Sequence, residues 1–386
     1  MKKKIAKMNG WLLFLTILYS VLGCIMIYSA SSVLTVLKQG LPSNYYFIRQ
    51  VIILVVSFIG SLIVTKIPIK SYRNISLLLM AALGASLIGL LAAGQITHGT
   101  KGWYDLGFFS LQPAEFAKSI IIIYLACSYE KIIKRKETNF IVYLLPFFLT
   151  LVICLLILKQ PDLGSAIIVG GIAFLMFLAV PMSKKIRIKC NKVILGIGII
   201  GVIGCIAFKD KIFTDYQISR FSFTAPCTSE KRTQRQGYQV CNGYIAIKNG
   251  GLFGLGFGNS IQKNLYLPEA HTDFIFPIIV EELGMITGIL IICGYVVMIY
   301  QIIKIAAGAP SITMSLICYG TASYLTLHIL TNLMGVLSLM PLTGVPLPFF
   351  SYGGSFALNA IVMISIVQKI AIESKNTKLR QRIANL

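Results

Sequence analysis

Acidic residues are scarce in this chain: 13 Asp and Glu stand among 386 residues, against 35 Lys and Arg, and charged residues of both signs make up only 12%. The 9 cysteines are scattered without CxxC or any metal-ligand spacing, so most read as small buried hydrophobes rather than as ligands. No internal repeat is evident, which weighs against a transporter built from duplicated halves. Gly254, Gly256 and Gly258 have a fingerprint-like spacing, but no strand precedes them, which excludes a dinucleotide-binding turn. No small-residue cleavage pattern follows the basic start and first apolar run, so that run reads as a retained signal-anchor helix.

What remains is apolar. The chain is 56% hydrophobic, and its mean hydropathy of +0.80 excludes a soluble globular domain. Ten apolar runs lie near 11–30, 47–65, 75–93, 114–128, 140–158, 163–181, 193–208, 274–300, 312–337 and 355–372. Most approach the roughly 20 residues a helix needs to cross a bilayer, and helices are favoured because lipid cannot satisfy open backbone groups. The expected fold is an all-α polytopic membrane protein of about ten transmembrane helices, forming one membrane domain over 1–386. One large loop, 209–272, joins spans seven and eight.

The formal charge of +22 does not point to nucleic acid, because the basic residues gather in alternate connections such as Lys131 to Lys136 and Lys184 to Lys192. The positive-inside rule makes those connections, and both termini, cytoplasmic. Acids distribute oppositely: only Glu130, Glu137 and Glu373 fall on the basic side, so chemistry is expected on the outer one. There the long loop carries Cys227 and Cys241, for which a disulfide is open in an oxidising compartment. It also carries a stretch, with Tyr238, Cys241 and Ile245 at helical spacing, that reads as a short amphipathic helix at the outer interface.

Three outer segments place polar residues and proline before an apolar run. In "QPAEFAK", Gln112 is a candidate cap and Pro113 suits the first helical turn. Glu115 and Lys118 there share one face, either as a self-neutralising pair or as substrate contacts. In "KQPDLG", Gln160 precedes Pro161, and Asp162 complements a helix N-terminus; Lys159 answers either Asp162 or an anionic ligand. In "PLTGVPLPFFSYGGS", Pro348, Gly353 and Gly354 prevent a regular helix, so the segment is expected to fold back into a cavity wall. With Arg49, Lys101 and "LPEAHTDFIF" on the same side, these segments imply an outward-facing polar cavity suited to an anionic headgroup.

"QPAEFAK", "KQPDLG", "GYQ", "NGGLFGLGFGNS", "LPEAHTDFIF", "EELG" and "PLTGVPLPFFSYGGS", in that order from about Arg49 to Ile366, resemble the SEDS family (shape, elongation, division and sporulation), to which FtsW, RodA and SpoVE belong. Ala114 and Phe356 stand where serine is common in the family, and Pro277 interrupts "DFIF" from "EELG", where a kink one turn below Asp273 is expected. The resemblance implies a peptidoglycan glycosyltransferase that polymerises lipid II at the outer face of the bacterial cytoplasmic membrane. It implies as partners a class B penicillin-binding protein and other divisome or elongasome membrane proteins. The compact tails and "NYYFIRQ" lean toward an FtsW-like division protein. A lipid II flippase and a non-catalytic scaffold are the alternatives from other classes.

On that reading Asp273, capping the eighth span, is the candidate general base. Arg49, Lys118, Lys159 and Arg220 are candidates for the leaving diphosphate, with a divalent cation, Mg²⁺ or Mn²⁺, suggested by the chemistry and the resemblance. Glu115, His271, Ser351 and Tyr352 are further candidates for substrate contact. Glu281 and Glu282, on a continuous helix, lie too deep to join Asp273 and are expected to be structural.

Overall fold

The fold is taken from a computed structural model that describes residues 8–93, 95–97, 100–105, 107, 110–207, 227–228 and 235–384. Arg220 lies outside the described residues. The helices are α1 (Gly10–Gln39), α2 (Tyr45–Lys66), α3 (Ile69–Ala93), α4 (Pro113–Lys134), α5 (Phe140–Leu158), α6 (Leu163–Ala179), α7 (Lys184–Ala207), α8 (Arg235–Gly250), α9 (Ile275–Ala307), α10 (Ile312–Val336) and α11 (Gly354–Ala384). Ten of these follow the ten apolar runs, and α8 is the short helix expected in the long loop. A small antiparallel sheet, β1 (Gln95–Thr97), β2 (Thr100–Asp105) and β3 (Ser110–Leu111), was not expected; it bridges α3 and α4.

Six helices, α1, α2, α3, α5, α9 and α11, are long and apolar enough to cross a membrane by themselves. The exceptions are instructive. α4 packs against α3, α5, α6, α10 and α11, and its Glu115 and Lys118 are buried. α10 likewise turns Thr321, His328 and Asn332 inward. Interior helices of a membrane bundle meet protein rather than lipid, so they keep polar groups that would be costly on the outer helices.

Pro277 does not kink α9. It is the third residue of the helix, within the first turn, where the absent N–H leaves no bond unmade. The break falls instead at Gly284, whose φ of 86° and ψ of 164° are not helical. The glycine-rich loop after α8 enters the gap: Leu255 N and Gly256 N each donate at 2.9 Å to the carbonyls of Glu281 and Glu282, and Met285 N donates at 2.9 Å to Gly251 O. Backbone groups released by the break are thereby satisfied inside the protein, as a bilayer requires.

α8 packs along α9 and buries Gln239, Val240, Cys241 and Asn242, so its inner face meets protein rather than an interface. Cys241 is bonded to Cys227, as the sequence allowed. The 337–353 segment is non-helical as expected. Pro348 O accepts from Tyr295 Oη, and α1 admits the chain at Gly23, where an added Cβ would lie 2.0 Å from Phe349 O.

A methyl group at Gly284 would lie 2.3 Å from Leu252 O and would require the left-handed region of an L-residue. Gly284→Ala is therefore expected to lower the thermal unfolding midpoint in detergent by well over the few degrees of an ordinary surface change. Gly196→Ala on α7, with open space around it, serves as the neutral control.

Candidate active site

The residues His271, Thr272 and Asp273 leave the long loop just before α9. Each of their three consecutive carbonyls is taken by a donor from elsewhere in the chain. Tyr352 N donates to His271 O at 2.9 Å, Ser351 Oγ to Thr272 O at 2.6 Å, and Asn332 Nδ2 to Asp273 O at 2.7 Å. Asn332 Nδ2 also reaches Val345 O at 2.9 Å, and Ser351 Oγ accepts from Leu347 N at 2.8 Å. The 345–352 segment is thus the partner strand, in effect, of the catalytic candidate.

Asp273 is not the helix cap. Phe274 occupies that position and makes no side-chain cap bond. The hydroxyl of Thr272 stands 3.2 Å from Asp273 Oδ1 and 2.8 Å from Glu269 Oε2; its one proton serves one carboxylate at a time. Half-buried Asp273 lines a small cleft of about 10 Å³ with Thr331, Asn332, Thr343 and Gly344. A larger cleft of about 60 Å³ lies beside the same loop, lined by Lys38, Lys263, Glu269 and His271.

Glu281 and Glu282 hold the loop that leads to Asp273. Glu282 Oε1 accepts from Lys263 Nζ at 2.8 Å and from Ser29 Oγ of α1 at 2.6 Å. Lys263 Nζ also donates to Gly258 O at 2.6 Å and to Ser29 Oγ at 2.9 Å. Glu281 accepts from Asn249 Nδ2 at 2.9 Å, from Gln262 N at 3.2 Å and from the Ser260 hydroxyl. Both acids are fully enclosed, and charges so placed persist only when bonded in this way. Lys263 was not recognised in the sequence, yet it is the only basic residue between Lys248 and Lys304, and the two buried acids called for a cation.

The other candidates separate by burial. Lys118 is 1% exposed and its ammonium lies 2.6 Å from Glu115 Oε1, which is the self-neutralising arrangement and leaves Lys118 no open face. Asp162 caps α6 through Ser165 N at 2.9 Å and accepts from Gln112 Nε2 at 3.0 Å. Gln112 therefore reaches across to the next outer helix start instead of capping α4 with its side chain. Lys159 is exposed at the end of α5, and Gln160 ties α3 to that corner through Leu87 O at 3.0 Å. Gly353 N is 3.5 Å from Gln50 Oε1, and Gly354 begins α11. Arg49 lies over the Tyr45 ring at 4.7 Å and bonds the Tyr352 hydroxyl, which puts a guanidinium next to the segment that clamps the loop.

His271 is 6% exposed, its ring centroid 4.5 Å from that of Tyr46. Burial pulls its pKa down to about 4 against the opposing effect of Glu269, so at neutral pH it carries no charge to offer a diphosphate. Among the described residues no three His, Cys, Asp or Glu side chains converge to hold a metal.

Known proteins share this sequence pattern and this fold. The family FTSW_RODA_SPOVE, described as "Cell cycle protein", matches residues 10–376. A probable peptidoglycan glycosyltransferase FtsW of Bacillus subtilis is 35% identical, covering 100% of this chain and 96% of its own. Stage V sporulation protein E of the same organism is 33% identical over 94% of this chain and 97% of its own. Among solved structures, RodA of Thermus thermophilus superposes with a TM-score of 0.66 at 23% identity, covering 94% of this chain and 96% of that one. A chain of a peptidoglycan synthase complex, described in terms of coordinated polymerization and crosslinking, gives 0.75 at 22%, covering 95% of this chain and 98% of that one.

Two measurements check the loop's supports. Lys263→Met leaves Glu282 buried without its cation and is expected to cost about 3–5 kcal/mol of stability, while Lys263→Met with Glu282→Gln recovers most of it; thermal unfolding of purified protein reads both. A buried neutral histidine favours the folded state fully above its unfolded pKa of about 6.5 and loses that contribution as pH falls toward 4. The acid loss of stability between those values is accordingly smaller in His271→Phe than in the unaltered protein.

Proposed function

The chain belongs to the FtsW, RodA and SpoVE family of cell-cycle proteins, and from that premise we propose that it is a peptidoglycan glycosyltransferase with Asp273 as general base. The observation that carries this reading is the clamped tripeptide 271–273. It holds Asp273 at the edge of a cleft, on an apolar bundle that can hold a lipid-linked substrate.

Chain extension joins the 4-hydroxyl of an acceptor sugar to the anomeric carbon of a donor on undecaprenyl diphosphate. Asp273 takes the hydroxyl proton as that oxygen attacks; the new C–O bond forms as the bond to the diphosphate oxygen breaks, with inversion, and the diphosphate leaves with the electron pair. Arg49 is the described cation best placed for the charge that develops on the leaving group. Lys118, enclosed with Glu115, serves the bundle instead.

The Asp273 face is the outer face. Lys66, Lys131, Lys134 and Lys304 end helices at the opposite face, which the positive-inside rule assigns to the cytoplasm. The Cys227–Cys241 bond lies on the same side as Asp273, and such bonds persist in oxidising compartments. We further infer that the protein works beside a class B penicillin-binding protein, which supplies the transpeptidase, in septal wall synthesis.

Purified protein with that partner is expected to polymerise lipid II, and Asp273→Asn to lower the rate by roughly 10²–10⁴-fold while folding normally. Unchanged glycan chains from a folded Asp273→Asn protein would remove the base assignment. Movement of labelled lipid II across vesicles by a wild-type protein that makes no glycan would favour a flippase.

A further inference from the structure

Asn332 is a fully used donor and an unused acceptor. It lies on α10, near that helix's outer end, and is 4% exposed. Its two amide hydrogens are aimed at two carbonyls that belong to different parts of the chain, Asp273 O at 2.7 Å and Val345 O at 2.9 Å. The other two clamps on the tripeptide come from the backbone of Tyr352 and the hydroxyl of Ser351. Asn332 alone among them reaches the residue that carries the carboxylate, and it alone ties that residue to a membrane helix.

Its remaining atom is the informative one. Asn332 Oδ1 is buried and has no hydrogen-bond partner. Enclosed acceptors of this kind are uncommon in folded proteins, and those that occur call for a ligand or a water. Asn332 and Asp273 line the same cleft, with the side chains of Thr331 and Thr343 beside them. Its volume of about 10 Å³ is close to what a single water molecule occupies, and the lining supplies the two to four polar partners such a water needs. A sugar hydroxyl is similar in size to that water and, with its one O–H, can donate the one hydrogen bond that Asn332 Oδ1 lacks.

We propose, resting on the glycosyltransferase reading above, that Asn332 is the positioning residue of the reaction: Nδ2 fixes the backbone of Asp273, and Oδ1 receives a hydroxyl-bearing group that enters the cleft beside the carboxylate. The group is water in the resting enzyme and, during extension, a hydroxyl of the acceptor sugar next to the one that attacks, since the single proton of the attacking hydroxyl goes to Asp273. The geometry accounts for a polar side chain kept inside an apolar helix, where an amide that met only lipid would be costly. It also accounts for the choice of amide, since two carbonyls demand two N–H donors and the cleft demands an acceptor, and Asn carries all three.

The test is kinetic, with lipid II as substrate and the penicillin-binding protein partner present. Asn332→Asp keeps the shape and Oδ1 but sets an oxygen against the two carbonyls; Asn332→Ala removes both functions. Both are expected to lower kcat by roughly 10²-fold, the scale of a misplaced catalytic group, with KM within threefold of the unaltered protein. Asn332→Asp is also expected to speed amide hydrogen exchange across 271–274 without altering exchange in α4 or α5, a readout available even if activity is lost altogether. Asp273→Asn run in parallel separates the two claims. If it is inactive while a folded Asn332→Ala matches wild type in kcat and in exchange at 271–274, the positioning role is wrong and the base assignment survives. A rise in KM with kcat unchanged would likewise overturn positioning.

Discussion

Inside a bilayer no water waits for an unpaired N–H or C=O, and that single requirement organises the irregular segments around Gly284 and Asp273. α9 opens at Gly284 because the glycine-rich loop supplies its missing partners. The proline-rich segment before α11 is tolerated because Tyr295, Ser351 and Asn332 answer its carbonyls and amides. From the same bonding comes the rigidity of 271–273: the groups that satisfy one irregular segment are supplied by the other, so the cleft at Asp273 is built where two non-helical stretches meet.

Charge obeys a parallel rule. The buried acids are each paired or multiply bonded: Glu115 with Lys118, Glu282 with Lys263 and Ser29, Glu281 with Asn249, Ser260 and Gln262. Asp273, half-buried, lies at the edge of the small cleft instead.

Much of this was legible in the sequence, and the failures are physical. The ten helices followed from apolar runs, and the motif "HTDF" singled out Asp273. The pairing of Glu115 with Lys118 followed from their three-residue spacing, one of two readings the sequence left open. Periodicity, however, reports side chains and cannot see a backbone dihedral, so α9 read as continuous and the kink was assigned to Pro277 rather than Gly284. Asp273 looked like a cap because it precedes an apolar run, whereas Phe274 takes that place. Lys263 and Asn332 were invisible for a different reason: each acts across more than ten residues of chain, through partners that only the fold brings near. Ser351 and Tyr352, expected at the substrate, also bond the 271–273 loop, through the Ser351 hydroxyl and the Tyr352 N–H.

The central claim is that the acceptor sugar binds at the cleft shared by Asp273 and Asn332, with one hydroxyl on each. A structure of the protein with a lipid-linked disaccharide bound tests it most directly. The account predicts one sugar hydroxyl about 3 Å from the Asp273 carboxylate and a neighbouring hydroxyl of the same sugar within hydrogen-bond reach of Asn332 Oδ1. A saccharide seated instead in the larger cleft of Lys38 and His271, with its hydroxyls remote from Asp273, would contradict it.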